Sequence, residues 1–291
     1  MTVSTERTSG TGHTQRFFII GAQKAGTTSL YEYLATHPDI FPSSVKEPKF
    51  FLKPAPTPAD EDRYRSMFSG RSNERWEFEA SPHYTQHPHY VGVPDRIHAR
   101  FPDARLIYLL RHPIERIYSH YIFRLSKPDK GEQRAFDEAV EANPLYLNTS
   151  RYHFQLTQYL GLFPANRILV VLFEELLADR KAAIRKIFEF LDVDASFEPP
   201  NIDHVYRDTS ERTMVSPVLR KVRQGSWYGY LPWRVRDLAR RLIRTRPPTK
   251  KEIFKPESYN RLHRLLRDDV ARLEQYLDRK LPWDFPRSKY E

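Results

Sequence analysis

The sequence predicts an α/β fold with a parallel central sheet flanked by helices. Two observations carry that prediction. The runs Arg16–Ile20, Ala104–Leu110 and Ile168–Leu172 are apolar without alternation, as strands buried on both faces are. Between such runs lie stretches with helical spacing, and strands alternating with helices build parallel sheets. The 291 residues, 40% hydrophobic and 29% charged, can bury a full core and rule out a disordered chain.

The elements follow in order. Residues 1–15 are polar and read as a flexible N-terminal tail. The first strand stops at Gly21, and Thr27–Ala35 reads as a helix with Leu30 and Leu34 on one side. His37-Pro38 ends that helix, because proline disfavours the helical region for the residue before it. Ile40-Phe41 reads as a short strand. Pro58–Phe68 reads as a helix opened by proline, where a missing N–H costs nothing. Trp76–Glu79 alternates like a half-buried strand, and Val91–Phe101 suits a helix. After Ala104–Leu110 a helix runs through Tyr121, then a polar loop at 127–132. Arg151–Leu160 reads as a helix, Ile168–Leu172 as a strand and Leu176–Leu191 as one amphipathic helix. Residues 194–213 form a long connection, and Ser258–Leu277 places leucines and a valine at helical spacing.

Composition excludes several functions. There is no cysteine, hence no disulfide, Cys–zinc site or thiol catalysis. No run of about 18 apolar residues is present. Residues 1–15 lack the apolar core of a secretory signal, so a cytoplasmic protein is expected. The formal charge is +10, but residues 220–251 alone hold eleven Lys and Arg against Asp237. The surplus is therefore local, which argues against a nucleic-acid partner and for a basic segment open to peripheral contact with an anionic membrane or polyanion. Leu231, Val235, Leu238, Ala239 and Leu242 give that segment an amphipathic pattern.

The chemistry concentrates at Gly21-Ala22-Gln23-Lys24-Ala25-Gly26-Thr27-Thr28-Ser29, between the first strand and its helix. Backbone N–H groups at a helix start favour phosphate, and the hydroxyls and Lys24 add donors. The fold class is thus a P-loop-containing nucleotide-binding fold. It is not the usual triphosphate loop, which needs lysine directly after the second glycine. The strand 104–110 also ends in Arg111, not in a magnesium-holding carboxylate. Both departures argue against an ATP-dependent kinase, the competing enzyme class. They point to a metal-independent nucleotide ligand with an extra phosphate.

These residues resemble the sulfotransferase family that uses 3′-phosphoadenosine 5′-phosphosulfate (PAPS). Residues 21–29 are similar to its 5′-phosphosulfate loop. Arg111-His-Pro-Ile-Glu-Arg-Ile-Tyr-Ser119 is similar to its 3′-phosphate element. Lys46-Glu47-Pro48-Lys49-Phe50-Phe51 resembles an element of the heparan 3-O type and of bacterial relatives, in which the Glu is the acceptor base. The resemblance spans residues 16–286 as one sulfotransferase domain, without a clear late K-G-R segment. It implies PAPS as co-substrate, adenosine 3′,5′-bisphosphate (PAP) as product, no metal, and a hydroxyl or amine acceptor, either glycan or small metabolite. It implies nucleotide binding by Gln23 through Ser29, Arg111 and Ser119, with Arg212 from the long connection. Lys24 and Glu47 would be catalytic, with His83 the rival base. Lys46, Lys49, Phe51 and Tyr84 would meet the acceptor. Phe50 and Phe51 are expected to raise the pKa of Glu47. The aromatic cluster 227–233 reads as core or lid.

Overall fold

The computed structural model describes residues 15–127, 131–204, 206, 214–215, 244–245, 249–253 and 255–283. Five strands are β1 (Gln15–Gly21), β2 (Ile40–Pro42), β3 (Trp76–Ala80), β4 (Arg105–Leu110) and β5 (Ile168–Leu172). They pair in parallel in the order β2-β3-β1-β4-β5. The helices along the way are α1 (Thr27–Leu34), α2 (Pro58–Ser66), α3 (Val93–Arg100), α4 (Pro113–Leu125), α5 (Phe136–Ala142), α6 (Leu145–Asn148), α7 (Tyr152–Leu160), α8 (Phe173–Ala178) and α9 (Arg180–Leu191). Two short antiparallel strands, β6 (Met214–Val215) and β7 (Arg244–Thr245), precede α10 (Lys250–Ile253) and the long α11 (Pro256–Leu277).

Because every sheet strand runs the same way, the segments after β1, β3, β4 and β5 emerge on one edge. The chain extends the sheet on one side of β1 and then returns to its other side with β4. That reversal opens a crevice at the strand ends, the usual ligand position in open α/β sheets. One apolar cluster joins the sheet to α1, α7 and α9, and a second lies among α4, α5, α6 and Leu262 and Leu266 of α11. Among the described residues no helix is long and apolar enough to cross a membrane.

Two expectations change. Strand β3 is not half-buried: all five residues are buried, since β3 lies between β2 and β1. Its two carboxylates are accommodated individually. Glu77 pairs with Arg16 and Arg71, and Glu79 is held by hydroxyls described below. The single helix over 176–191 is two, broken at Asp179. That side chain accepts from the Ala182 N–H at 2.9 Å and starts α9 as an N-cap. The stretch 136–148, which the sequence leaves unassigned, folds as α5 and α6 around buried Phe136, Ala139, Val140 and Tyr146.

Candidate active site

The loop after β1 closes tightly. Gly26 precedes α1 with φ +98°, and a Cβ there would lie 2.8 Å from the Phe173 ring. Lys24 also has positive φ, 74°. Beneath the loop the buried Arg116 donates to the Gln23 carbonyl at 3.4 Å, to Ser150 Oγ at 2.5 Å and to the Tyr146 carbonyl at 2.5 Å. Burial disfavours its charge and brings its pKa down to about 10.

A cavity of about 700 Å³ opens at the crevice. Of the residues expected at the nucleotide, Gln23, Lys24, Gly26, Thr27, Thr28, Ser29, Arg111 and Ser119 line it. Ala25 is buried behind the loop. The Lys24 ammonium lies 4.8 Å from the Phe123 ring centroid, and Lys127 approaches the same ring at 4.7 Å. Arg111 leaves the end of β4 and pairs with Glu115 one turn into α4 at 3.6 Å. Glu115 in turn meets Lys250, the first residue of α10, at 2.5 Å.

Glu47, Lys49 and His83 line the same cavity. Glu47 is 3.1 Å from Lys46, 3.7 Å from Lys49 and 3.8 Å from His83. Burial pushes its pKa up, but Lys46, His83 and Lys49 outweigh this and hold it below the ordinary value. The expected rise is therefore reversed. Phe50 and Phe51 point into the core against Tyr64 and leave the carboxylate among cations. His83 is held down to about 4, first by burial and then by Lys49, so it is neutral near pH 7. Its Nε2 lies 3.3 Å from Gln23 Nε2.

Three expected acceptor contacts are corrected. Phe51 and Tyr84 are each 2% exposed and belong to the core. Phe51 packs edge-on against Phe18, Phe50, Tyr64 and Tyr84. Lys46 does not line the cavity and serves Glu47 as an ion-pair partner.

A family model described as a sulfotransferase domain matches residues 14–246. The chain belongs to the sulfotransferase family. It is 23% identical over 244 residues to human carbohydrate sulfotransferase 15, covering 61% of this chain and 43% of that protein. It is 30% identical over 189 residues to human heparan sulfate glucosamine 3-O-sulfotransferase 6, covering 60% and 51%. The chain thus spans about half the length of these curated relatives. A solved sulfotransferase from Alicyclobacillus acidocaldarius superposes with a TM-score of 0.66 at 29% identity, over 92% of this chain and 97% of that one.

Within this sulfotransferase fold, several cavity residues escaped the sequence reading. Tyr33, Phe123, Lys127, Phe173, Leu176, Leu177 and Arg180 also line the cavity, and Tyr206 lines it from the long connection that the sequence had placed near the nucleotide. Phe173 had a signal, since it follows β5 directly as Arg111 follows β4. The pairing of Ser29 with Tyr206 had none: their backbone–hydroxyl contacts at 3.3 and 3.4 Å join positions 177 residues apart. Arg212, the aromatic cluster 227–233 and most of the basic stretch 220–251 lie outside the described residues.

Proposed function

We propose that the chain transfers the sulfuryl group of PAPS to a hydroxyl or amine acceptor, either a carbohydrate or another small metabolite. One observation carries this reading: Lys24 and its phosphate-type loop share one cavity with Arg111 and Ser119. A nucleotide with phosphate at both ends needs those two donor groups facing the same space. The donor set fits that ligand, with α1 backbone N–H groups, three hydroxyls and Lys24 for one end. The forked guanidinium of Arg111 and the hydroxyl of Ser119 suit the other.

PAPS supplies an activated sulfuryl group whose leaving group is PAP. Lys24 offers a cation to the charge that develops at the leaving oxygen. Glu47, ionised at neutral pH, receives the acceptor proton as general base. His83 is neutral and within reach of Glu47 and Gln23, so it orients rather than charges that end. Lys49 stands beside Glu47 to meet the acceptor. The names of the relatives favour carbohydrate acceptors. The test is transfer from radiolabelled PAPS to a desulfated heparan oligosaccharide, a glycolipid and 2-naphthol. Lys24→Ala should abolish transfer to whichever acceptor reacts. Undiminished transfer by that variant, or ATP- and magnesium-dependent phosphorylation instead, would refute the reading.

The basic stretch 220–251 supports a second, compatible role, docking on an anionic membrane. Binding to phosphatidylserine vesicles should weaken with salt, and binding indifferent to salt would rule it out.

A further inference from the structure

The general base sits on an improbable piece of backbone. Glu47 and Lys49 both have positive φ, 60° and 58°, on either side of Pro48. Non-glycine residues hold that conformation only when their surroundings fix it. Two backbone N–H groups just beyond Glu47 are fixed by side-chain hydroxyls from the segment after β3. Lys49 N–H donates to Ser81 Oγ at 3.0 Å, and Phe51 N–H donates to the Tyr84 hydroxyl at 3.3 Å.

Both hydroxyls converge on one buried group. Ser81 donates to Glu79 Oε2 at 2.9 Å, and Tyr84 donates to both oxygens at 3.0 and 3.2 Å. Tyr64 of α2 donates to Oε1 at 3.0 Å. Glu79 is fully buried at the end of β3 and does not line the cavity.

A hydroxyl has one proton to give. Above the pKa of about 7 to which burial raises it, the Glu79 carboxylate is ionised and can only accept. Glu79 therefore draws the protons of Ser81 and Tyr84 toward itself and leaves their lone pairs for the two N–H groups. The carboxylate sets the direction of both tethers. An apolar side chain or an amide at position 79 would not impose that direction.

We propose that Glu79 is a positioning residue for the reaction, holding the Glu47 loop in register through Ser81 and Tyr84. This rests on the reading of Glu47 as the base. The arrangement is expensive as a purely structural device. Burial raises the Glu79 carboxyl to about 7, against the lowering effect of Ser81, Tyr84, Tyr64 and Arg16 of β1. A group kept for stability alone would be better replaced by an apolar one.

The experiment uses the full chain and PAPS with water as acceptor, so the natural acceptor is not needed. Water attacks sulfur, the sulfur–oxygen bond to the phosphate breaks, and sulfate, PAP and a proton are released. Release of PAP gives kcat, and calorimetric titration with PAP reports whether the nucleotide end is intact. The variants are Glu79→Gln, Ser81→Ala, Tyr84→Phe and Glu47→Gln. Displacing a catalytic group by about 1 Å costs on the order of 100-fold. Each of the first three should lower kcat by about 10- to 100-fold and change PAP affinity less than about twofold. Slow turnover by Glu47→Gln beside wild-type rates in those three overturns the proposal alone. Wild-type turnover by Glu47→Gln overturns the base reading and the proposal with it. Loss of PAP affinity in step with rate marks a general folding role and also overturns it.

Discussion

Gly26→Ala imposes two separable penalties at the head of α1. The first is conformational. At φ +98° a Cβ crowds the backbone, at about 1–2 kcal/mol for an L-residue. The second is steric. The new methyl would stand 2.8 and 2.9 Å from Cδ2 and Cε2 of Phe173, so that ring must move, and overpacking of this kind costs about 1–3 kcal/mol. Together they predict a loss of about 2–5 kcal/mol, a large share of the ~5–15 kcal/mol of a typical domain. Phe173→Ala separates the two, since it removes the collision but leaves the backbone strained. A double-mutant cycle by urea denaturation should return a coupling of about 1–3 kcal/mol. Phe173 also lines the cavity, so Gly26→Ala should weaken PAP binding as well. Stability of Gly26→Ala within about 0.5 kcal/mol of wild type, or an additive cycle, would refute the reasoning.

Four further outcomes are expected. His83, depressed from 6.5 to about 4, binds its proton more readily when unfolded, so its contribution is complete above 6.5 and fades toward pH 4; the stability difference between wild type and His83→Gln, from denaturation at several pH values, should grow between pH 4 and 6.5 and then level off. Glu79, raised from 4.5 to about 7, has the opposite sign, so wild type minus Glu79→Gln should fall as pH rises from 4.5 to 7, and a rising difference would contradict its burial. Lys46→Met should move the Glu47 inflection in the pH–rate profile of PAPS turnover upward, because Lys46 helps hold that carboxyl down, and an unmoved inflection would show that the pair is not formed in solution. Asp269 of α11 accepts from the His153 and Phe154 N–H groups at 3.0 and 2.9 Å and so caps α7 from outside; Asp269→Ala should cost about 1 kcal/mol in urea denaturation, and no change would discount the cap.

What the sequence revealed follows from the range of each interaction. The strands at 16–20, 104–110 and 168–172 were legible because a strand buried on both faces is written in consecutive residues. The nucleotide end was legible for the same reason: Gly21 to Ser29 is one local turn, and Arg111 and Ser119 share one helix start. The acceptor end was not. Phe51 and Tyr84 read as contacts because aromatic residues beside a base suit either a ligand or a core. Only the packing of α2 against the Phe50–Leu52 turn decides between them. The sign of the Glu47 shift was missed on similar grounds, since it depends on how two lysines and a histidine converge. Glu79 looked like one more polar residue of an alternating strand, and its meaning required knowing that β3 is an inner strand.

Arg116 bears on how the protein responds to its nucleotide. Among the described residues its guanidinium makes no ion pair. It is met by carbonyls, a serine and His120 Nδ1 at 3.5 Å. The floor of the loop therefore carries a desolvated positive charge that no carboxylate among the described residues offsets. An anion seated above Gln23 would lower the energy of that charge without touching it. Arg116 stays charged near neutral pH either way, so the gain is electrostatic, and thermal protection by PAP should exceed what the direct contacts supply. Because the charge is shielded from solvent, that extra protection should persist at ionic strengths that erase surface attraction.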